Sequence, residues 1–298
     1  MMFTSKRVTS RFLAALLLPA LGLAQTATRD LVLKTFQNSR PDSKPDSKDA
    51  AEKLPAPSKP GNPSSPAKKQ PKPEMVGFTL WHMRPATKND HVLFRGLIHE
   101  GDQSADSSTW AAERASIETP VSPEEFVRLS IESAQKGYLY VIDRDLYADG
   151  SGSEPTLIFP TLRLRGGDNR VEPGSPIEIP NSDDHPPVFR MKKTRPDQTS
   201  LQLTIIVAPQ PLAEIAASRD AVSLKLDQVT DWEKRWGAKT ERFETTESVG
   251  KPYTSDEQQA AKSKNHALGP ASPLPSMIMK SMGKPNDPLL YSVILKLQ

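Results

Sequence analysis

Cysteine is absent from the 298-residue chain. That excludes disulfides, thiolate metal sites and a cysteine nucleophile. It also excludes a bacterial lipid anchor, which needs a cysteine behind the signal cut. An exported chain without cysteine relies on an ordinary hydrophobic core. A membrane-spanning run is lacking too: Phe12–Ala24 is apolar over 13 residues, whereas a spanning helix needs about 20. The usual catalytic signatures are missing, with no Gly-x-Ser-x-Gly, no His-Glu-x-x-His and no phosphate-cradling loop. Ser-x-x-Lys does occur, at Ser133–Lys136 and Ser281–Lys284, but a third copy at Ser65–Lys68 lies in low-complexity chain. Neither Ser-Asp-Asn nor Lys-Thr-Gly accompanies it, so penicillin-binding chemistry is not indicated. Gly166-Gly167-Asp168-Asn169 has no predicted helix behind it and is no dinucleotide fingerprint.

What is present begins with an address. Lys6, Arg7 and Arg11 precede the apolar stretch, and Gly22-Leu23-Ala24 places small residues before Gln25. This is the pattern of a cleaved secretory signal peptide over residues 1–24. With no Arg-Arg pair in it, the general secretory route is expected, and a periplasmic or extracellular location. The formal net charge of +3 comes entirely from those three basic residues, so the cleaved chain is neutral. Within it, residues 40–74 carry eight basic and five acidic residues, leaving the rest mildly acidic. That balance argues against a nucleic-acid partner.

Residues 40–74 contain nine prolines and the tandem Pro-Asp-Ser-Lys at 41–44 and 45–48. Such a composition cannot build a core and reads as extended, solvated chain, with a full reach on the order of 100 Å. Ahead of it, Leu31, Val32, Leu33 and Phe36 would form one amphipathic turn able to dock. So short a helix is marginal alone, so 25–39 is read as frayed and 25–74 as a disordered linker.

From residue 75 onward strand patterns dominate. Phe78–Met83 and Val92–His99 read as strands, and Val127–Glu132 alternates apolar and polar residues. Tyr138–Ile142 reads as a strand buried on both faces, which makes 127–142 a β-hairpin with its turn at Ala134–Gly137. Thr156–Phe159, Ile177–Ile179, Val188–Met191 and Leu201–Val207 follow, and Leu289, Tyr291, Val293, Leu295 and Leu297 share one face of a closing strand. Leu226, Val229, Trp232 and Trp236 line one face of a helix ending at Gly237, and a second helix starts near Ser255. Both are expected on one side of the sheets, with polar, irregular chain over 238–253. The fold class expected for 75–298 is an all-β sandwich, Ig-like or Greek-key, with one or two peripheral helices.

Four short motifs then recur in order: Gly137-Tyr-Leu-Tyr-Val-Ile-Asp143, Leu157-Ile-Phe-Pro160, Gly167-Asp-Asn-Arg-Val171 with Pro173-Gly174, and Ile177-Glu-Ile-Pro180. Together they resemble the bacterial "domain of unknown function 4384" family (DUF4384), most densely over residues 126–212. The resemblance implies an all-β fold and frequent export. It brings no catalytic residues.

The candidate chemistry is sparse. Asp143, Asp145 and Glu154 are possible calcium ligands outside the EF-hand spacing, which Tyr147 and Ala148 break; a loop turned by Asp149-Gly150 is the plainer reading. Tyr138 and Tyr140 share a strand face and, with Tyr147, would stack on sugar rings if exposed; core burial is the favoured alternative. The tryptophans are read as core. His82, His91 and His99 fit no zinc spacing, and His185 reads as part of a polar loop. Arg163, Arg165, Asp168, Asn169 and Arg170 form the most polar loop cluster and are the candidate contact surface; the alternative is that Asp168 and Arg170 only pin their own loop. The expectation is a non-catalytic exported module, without cofactor or metal, that binds another envelope protein or a cell-wall polymer. A carbohydrate-binding module and a hydrolase using Asp143 and Asp145 are the alternatives.

Overall fold

The last strand shows how the sequence builds the architecture. Leu289, Tyr291, Val293 and Leu295 are all buried, while the alternate Ser292, Ile294 and Lys296 are exposed. One face therefore meets a second layer and the other meets water. The structure, a computed structural model, describes residues 20–42, 74–94, 109–184, 186–216, 218–237, 240–281 and 287–298. Among these are helices α1 (Ala20–Gln37), α2 (Leu226–Trp236) and α3 (Ser255–Lys262). The strands are β1 (Met75–Pro85), β2 (Trp110–Ala115), β3 (Phe126–Ser133), β4 (Gly137–Tyr147), β5 (Thr156–Phe159), β6 (Arg170–Val171), β7 (Ile177–Ile179), β8 (Phe189–Arg190), β9 (Gln198–Ala208), β10 (Val222–Ser223), β11 (Thr240–Glu244), β12 (Met277–Ser281) and β13 (Leu289–Lys296).

They form two antiparallel sheets. The first runs β11-β12-β1-β3-β7, with β2 also on β1 and β8 on β3; the second runs β10-β5-β4-β9-β13, with β6 on β4. Phe78, Leu80, Leu129 and Ile131 of the first sheet meet Leu139, Val141, Leu203, Ile205 and Val293 of the second in one dry core. The protein is an all-β sandwich. Among the described residues, no helix is long and apolar enough to cross a membrane.

Five expectations are corrected. The predicted hairpin over 127–142 is an arch: β3 pairs with β1 and β7, whereas β4 pairs with β9 and β5. Both strands carry apolar side chains on the inter-sheet face, so placing them in opposite sheets buries both sets. Ser133 closes the arch by bonding across to the Gln135 carbonyl at 2.7 Å and its amide at 3.2 Å. Gly137 fits because a Cβ there would stand 2.7 Å from the Ala208 carbonyl oxygen.

The helices do not share a side. The α2 face of Val229 and Trp232 covers Tyr140, Ile142, Leu157 and Ile206 on the outer surface of the second sheet. Helix α3 starts with a full capping box between Thr254 and Glu257 and packs outside the first sheet, where Glu257 meets Arg114 of β2. Within 238–253, read as irregular, lies β11, whose five residues pair with β12. Of the predicted Val92–His99 strand, Val92 and Leu93 are outside any strand, Phe94 makes a single bridge to Trp110, and 95–99 lies outside the described residues.

The fifth correction concerns the N-terminal segment. Residues 25–37 are helical, and Val32 and Phe36, one turn apart, pack on Met75 and Ile278 against the first sheet. Gly77 makes the room: a Cβ there would lie 2.9 Å from Phe36 and 2.3 Å from Pro275. Burial of Val32 and Phe36 contributes roughly 1.5–3 kcal/mol each, which offsets the weak helix propensity that suggested fraying. The rest of the predicted linker, 43–73, and most of the predicted signal peptide lie outside the described residues.

Candidate functional site

Three features of the sandwich hold its polar chemistry. The first is a layer of ion pairs on the outer face of the first sheet. Arg40 pairs with Glu132, Arg114 with Glu257 and Arg128 with Glu178, all six side chains being almost fully buried. Arg40 donates through Nε and Nη2 to the two Glu132 oxygens at 2.7 and 2.8 Å, and through its remaining hydrogens to the carbonyls of Gly269, Ser272 and Pro273 at 2.8–3.3 Å. All five guanidinium donors are thus used. Arg128 lies over the Phe94 ring at 4.5 Å and donates to Glu178 and to the Pro180 carbonyl. Tyr253 donates to the other Glu178 oxygen, and burial pushes its hydroxyl pKa up. Arg114 stacks over Trp81 at 4.7 Å. Burial works against both members of its pair, lowering the pKa of Arg114 and raising that of Glu257. A cavity of ≈ 10 Å³ touches Glu132 and Glu257, room for about one water. The layer is closed and charge-balanced, so it is structural.

The second feature is a pocket of ≈ 220 Å³ that opens between the sheets, lined by Val127, Leu129, Ile158, Leu203 and Leu295 among others. Asp143 and Asp145 line it because they continue the inward-facing register of Leu139 and Val141 along β4 beyond the dry core. Asp145 is tied down, accepting from Gln198 Nε2 and Thr194 Oγ1, both at 2.6 Å. Asp143 is not tied down. Beyond its own backbone amide it has no hydrogen-bond donor or ion-pair partner among the described residues. Desolvation first, and the neighbouring Asp145 second, push its pKa up to about 6.

The third feature is a cleft of ≈ 250 Å³ between the 163–170 loop and the end of α3, lined by Arg165, Arg170, Glu172, Lys262 and Lys264 among others. Arg165 sits in the left-handed region at φ 52°, followed by Gly166 at 61° and Gly167 at 83°. That conformation is unfavourable for a non-glycine residue and turns the arginine to the cleft wall. Burial lowers its pKa.

The predicted contact cluster therefore divides. Arg165 and Arg170 reach the cleft. Asp168 links Arg170, at 2.8 Å, with Lys264, at 3.0 Å, and these cations hold its carboxyl well below the usual range. Asn169 belongs to the scaffold, exchanging hydrogen bonds with the Leu139 backbone at 2.8 and 3.0 Å. Arg163 pairs with Asp220 outside the cleft. Lys262, on the last turn of α3, and Lys264, just past its end, were not foreseen, because local sequence does not say which loop that helix end will meet.

Tyr138 and Tyr140 are packed within the fold, as the favoured reading had them. Tyr140 is 3 % exposed and its hydroxyl accepts from the Leu212 amide at 2.9 Å, Tyr138 packs into the α2 cluster, and Arg195 covers the Tyr147 ring at 3.9 Å. The calcium set is not assembled: among the described residues no three such ligands converge. Asp149 instead caps the Gly150 turn by accepting from the Ser151 amide at 2.8 Å. His82 lies 3.9 Å from Glu125, and His91 is exposed, while His99 and His185 lie outside the described residues. Trp81 and Trp232 are buried, Trp236 stacks on Trp232 at 5.7 Å, and Trp110 meets Phe126 edge-on at 5.4 Å.

Comparison of the chain with family models, with curated proteins and with solved structures finds no match.

Proposed function

We propose that this chain is a non-catalytic exported envelope protein whose sandwich binds another envelope protein or a cell-wall polymer, with the basic cleft as the contact surface. The observation that carries this reading is the convergence of Arg165, Arg170, Lys262 and Lys264 on one cleft lined by the single acid Glu172. Asp168 bridges Arg170 and Lys264, and Asp183 pairs with Lys262 from outside the lining, which leaves Arg165 as the cation without an ion pair among the described residues. A carboxylate-bearing chain suits that surplus of cations, and the bidentate reach of arginine suits a carboxylate. Loops at sandwich ends are common places for binding residues. Export rests on the signal-like N-terminus, and the likeness to DUF4384 proteins points the same way. The carbohydrate reading loses its basis, because the three tyrosine rings are occupied within the protein. A hydrolase reading is weakened because Asp145, the second carboxylate it needs, is already occupied by Gln198 and Thr194.

Crosslinking in intact envelopes, followed by pull-down, tests the proposal. The wild type should recover a protein or a wall polymer, and the double reversal Arg165→Glu with Lys262→Glu should lose it while keeping the same melting temperature. Equal recovery by the reversal variant, or recovery by neither, refutes the cleft as the contact surface. N-terminal sequencing of the exported product should begin at Gln25.

A further inference from the structure

The pocket between the sheets is separate from the basic cleft and differs from it in chemistry. Its deep walls are aliphatic, supplied by Leu129 from one sheet and by Leu203 and Leu295 from the other. At ≈ 220 Å³ it exceeds the roughly 150 Å³ apolar cavity that takes up benzene. A body of about six to ten non-hydrogen atoms fits such a space.

Among the described residues, the one carboxyl of the lining left without a side-chain partner is that of Asp143. Asp145, beside it, already accepts from Gln198 and Thr194. The two cations of the lining do not serve Asp143. Arg190 turns its Nη2 to Glu124 and leaves its Nε without an acceptor, Lys192 is exposed, and neither makes an ion pair with Asp143. A half-buried carboxylate without a counter-ion is costly, and a cationic guest removes that cost by pairing with it. An anionic guest would add a third negative charge next to Asp143 and Asp145.

We infer that this pocket is a binding site for a small amphiphilic amine, its apolar aryl or alkyl body lodged between the sheets and its ammonium group paired with Asp143. Apolar burial provides most of the binding and the carboxylate fixes orientation and selectivity, the usual division in a small-molecule site. The desolvation that raises the Asp143 pKa to about 6 reports the same unmet need for a cation.

The test uses the full cleaved chain and three probes of similar shape: phenethylammonium, neutral propylbenzene and anionic phenylpropionate. Binding is read by calorimetry and by NMR shifts of the Leu129, Leu203 and Leu295 methyls, at about pH 8 so that Asp143 is ionised. The expected order is phenethylammonium first, propylbenzene weaker and phenylpropionate undetected. Asp143→Asn should weaken the amine about tenfold or more and leave propylbenzene unchanged. Ile158→Trp, which fills the pocket from a half-buried wall position, should weaken both, and an unchanged melting temperature shows that the variant folds. Amine binding unaffected by Asp143→Asn overturns the inference. So does phenylpropionate binding as well as the amine, or no probe shifting the pocket methyls.

Discussion

Arg40 makes five hydrogen bonds inside the protein, although its sequence neighbours Pro41 and Asp42 are exposed. Arg40→Ala leaves Glu132 buried without a partner, and removal of one member of such a pair costs about 3–5 kcal/mol. The expected outcome is a large fall in the urea midpoint, with little change for the exposed Lys136→Ala. Asp143 acts in the opposite sense. Its folded-state pKa of about 6 stands above the ordinary 3.8, so the folded state holds the proton more tightly. Stability from this group therefore falls as pH rises from about 4 to about 6, and above that range the penalty reaches at most about 3 kcal/mol. Asp143→Asn should raise the melting temperature near neutral pH and leave it nearly unchanged near pH 4, which paired thermal scans measure. Neither residue announces this role in the sequence. Arg128 and Glu132 alternate with Val127, Leu129 and Ile131, and alternation states that the two faces of a strand differ. It does not state that the polar face meets water; here both faces are covered.

At the scale of elements, local pattern located most of what it could see. The bounds of β5 and β7 match the predicted Thr156–Phe159 and Ile177–Ile179, each stopped by a proline, and the stripe of α2 faces the sheet as its spacing requires. Trp232, fully buried against Tyr140 and Ile206, should cost about 3–5 kcal/mol as Trp232→Ala, read in the denaturant midpoint. Pairing partners were not legible. A three-residue connection joins β3 to β4, and a hairpin and an arch are equally short; the choice depends on β1, β7, β5 and β9, which claim the strand edges from far along the chain. For the same reason β11 escaped notice. Its Thr-Glu-Arg-Phe-Glu sequence has one apolar residue and is a strand because β12 lies beside it. The basic cleft has the same origin, since the 163–170 loop and α3 are some ninety residues apart and meet only in the fold, as Asp168 and Lys264 do.

For the molecule as a whole, the sandwich was legible and the attachment of its N-terminal part was not. Composition marked 40–74 as linker, which implies a leash between the N-terminus and the body. Yet helix α1 and Arg40 dock on the first sheet, and the chain re-enters the same sheet at Met75, which Phe36 touches. The 31 residues from 43 to 73 thus start and finish on one face. While α1 is docked, their length sets the size of a closed loop. It sets no distance between the body and the N-terminus. A covalent loop of this kind also keeps α1 near its seat at an effective concentration in the millimolar range. Severing the backbone at an engineered protease site between residues 43 and 73 would make one chain into two. The melting temperature of the nicked protein should then climb with protein concentration, as it does for any assembly whose halves must find each other, while that of the intact chain stays constant.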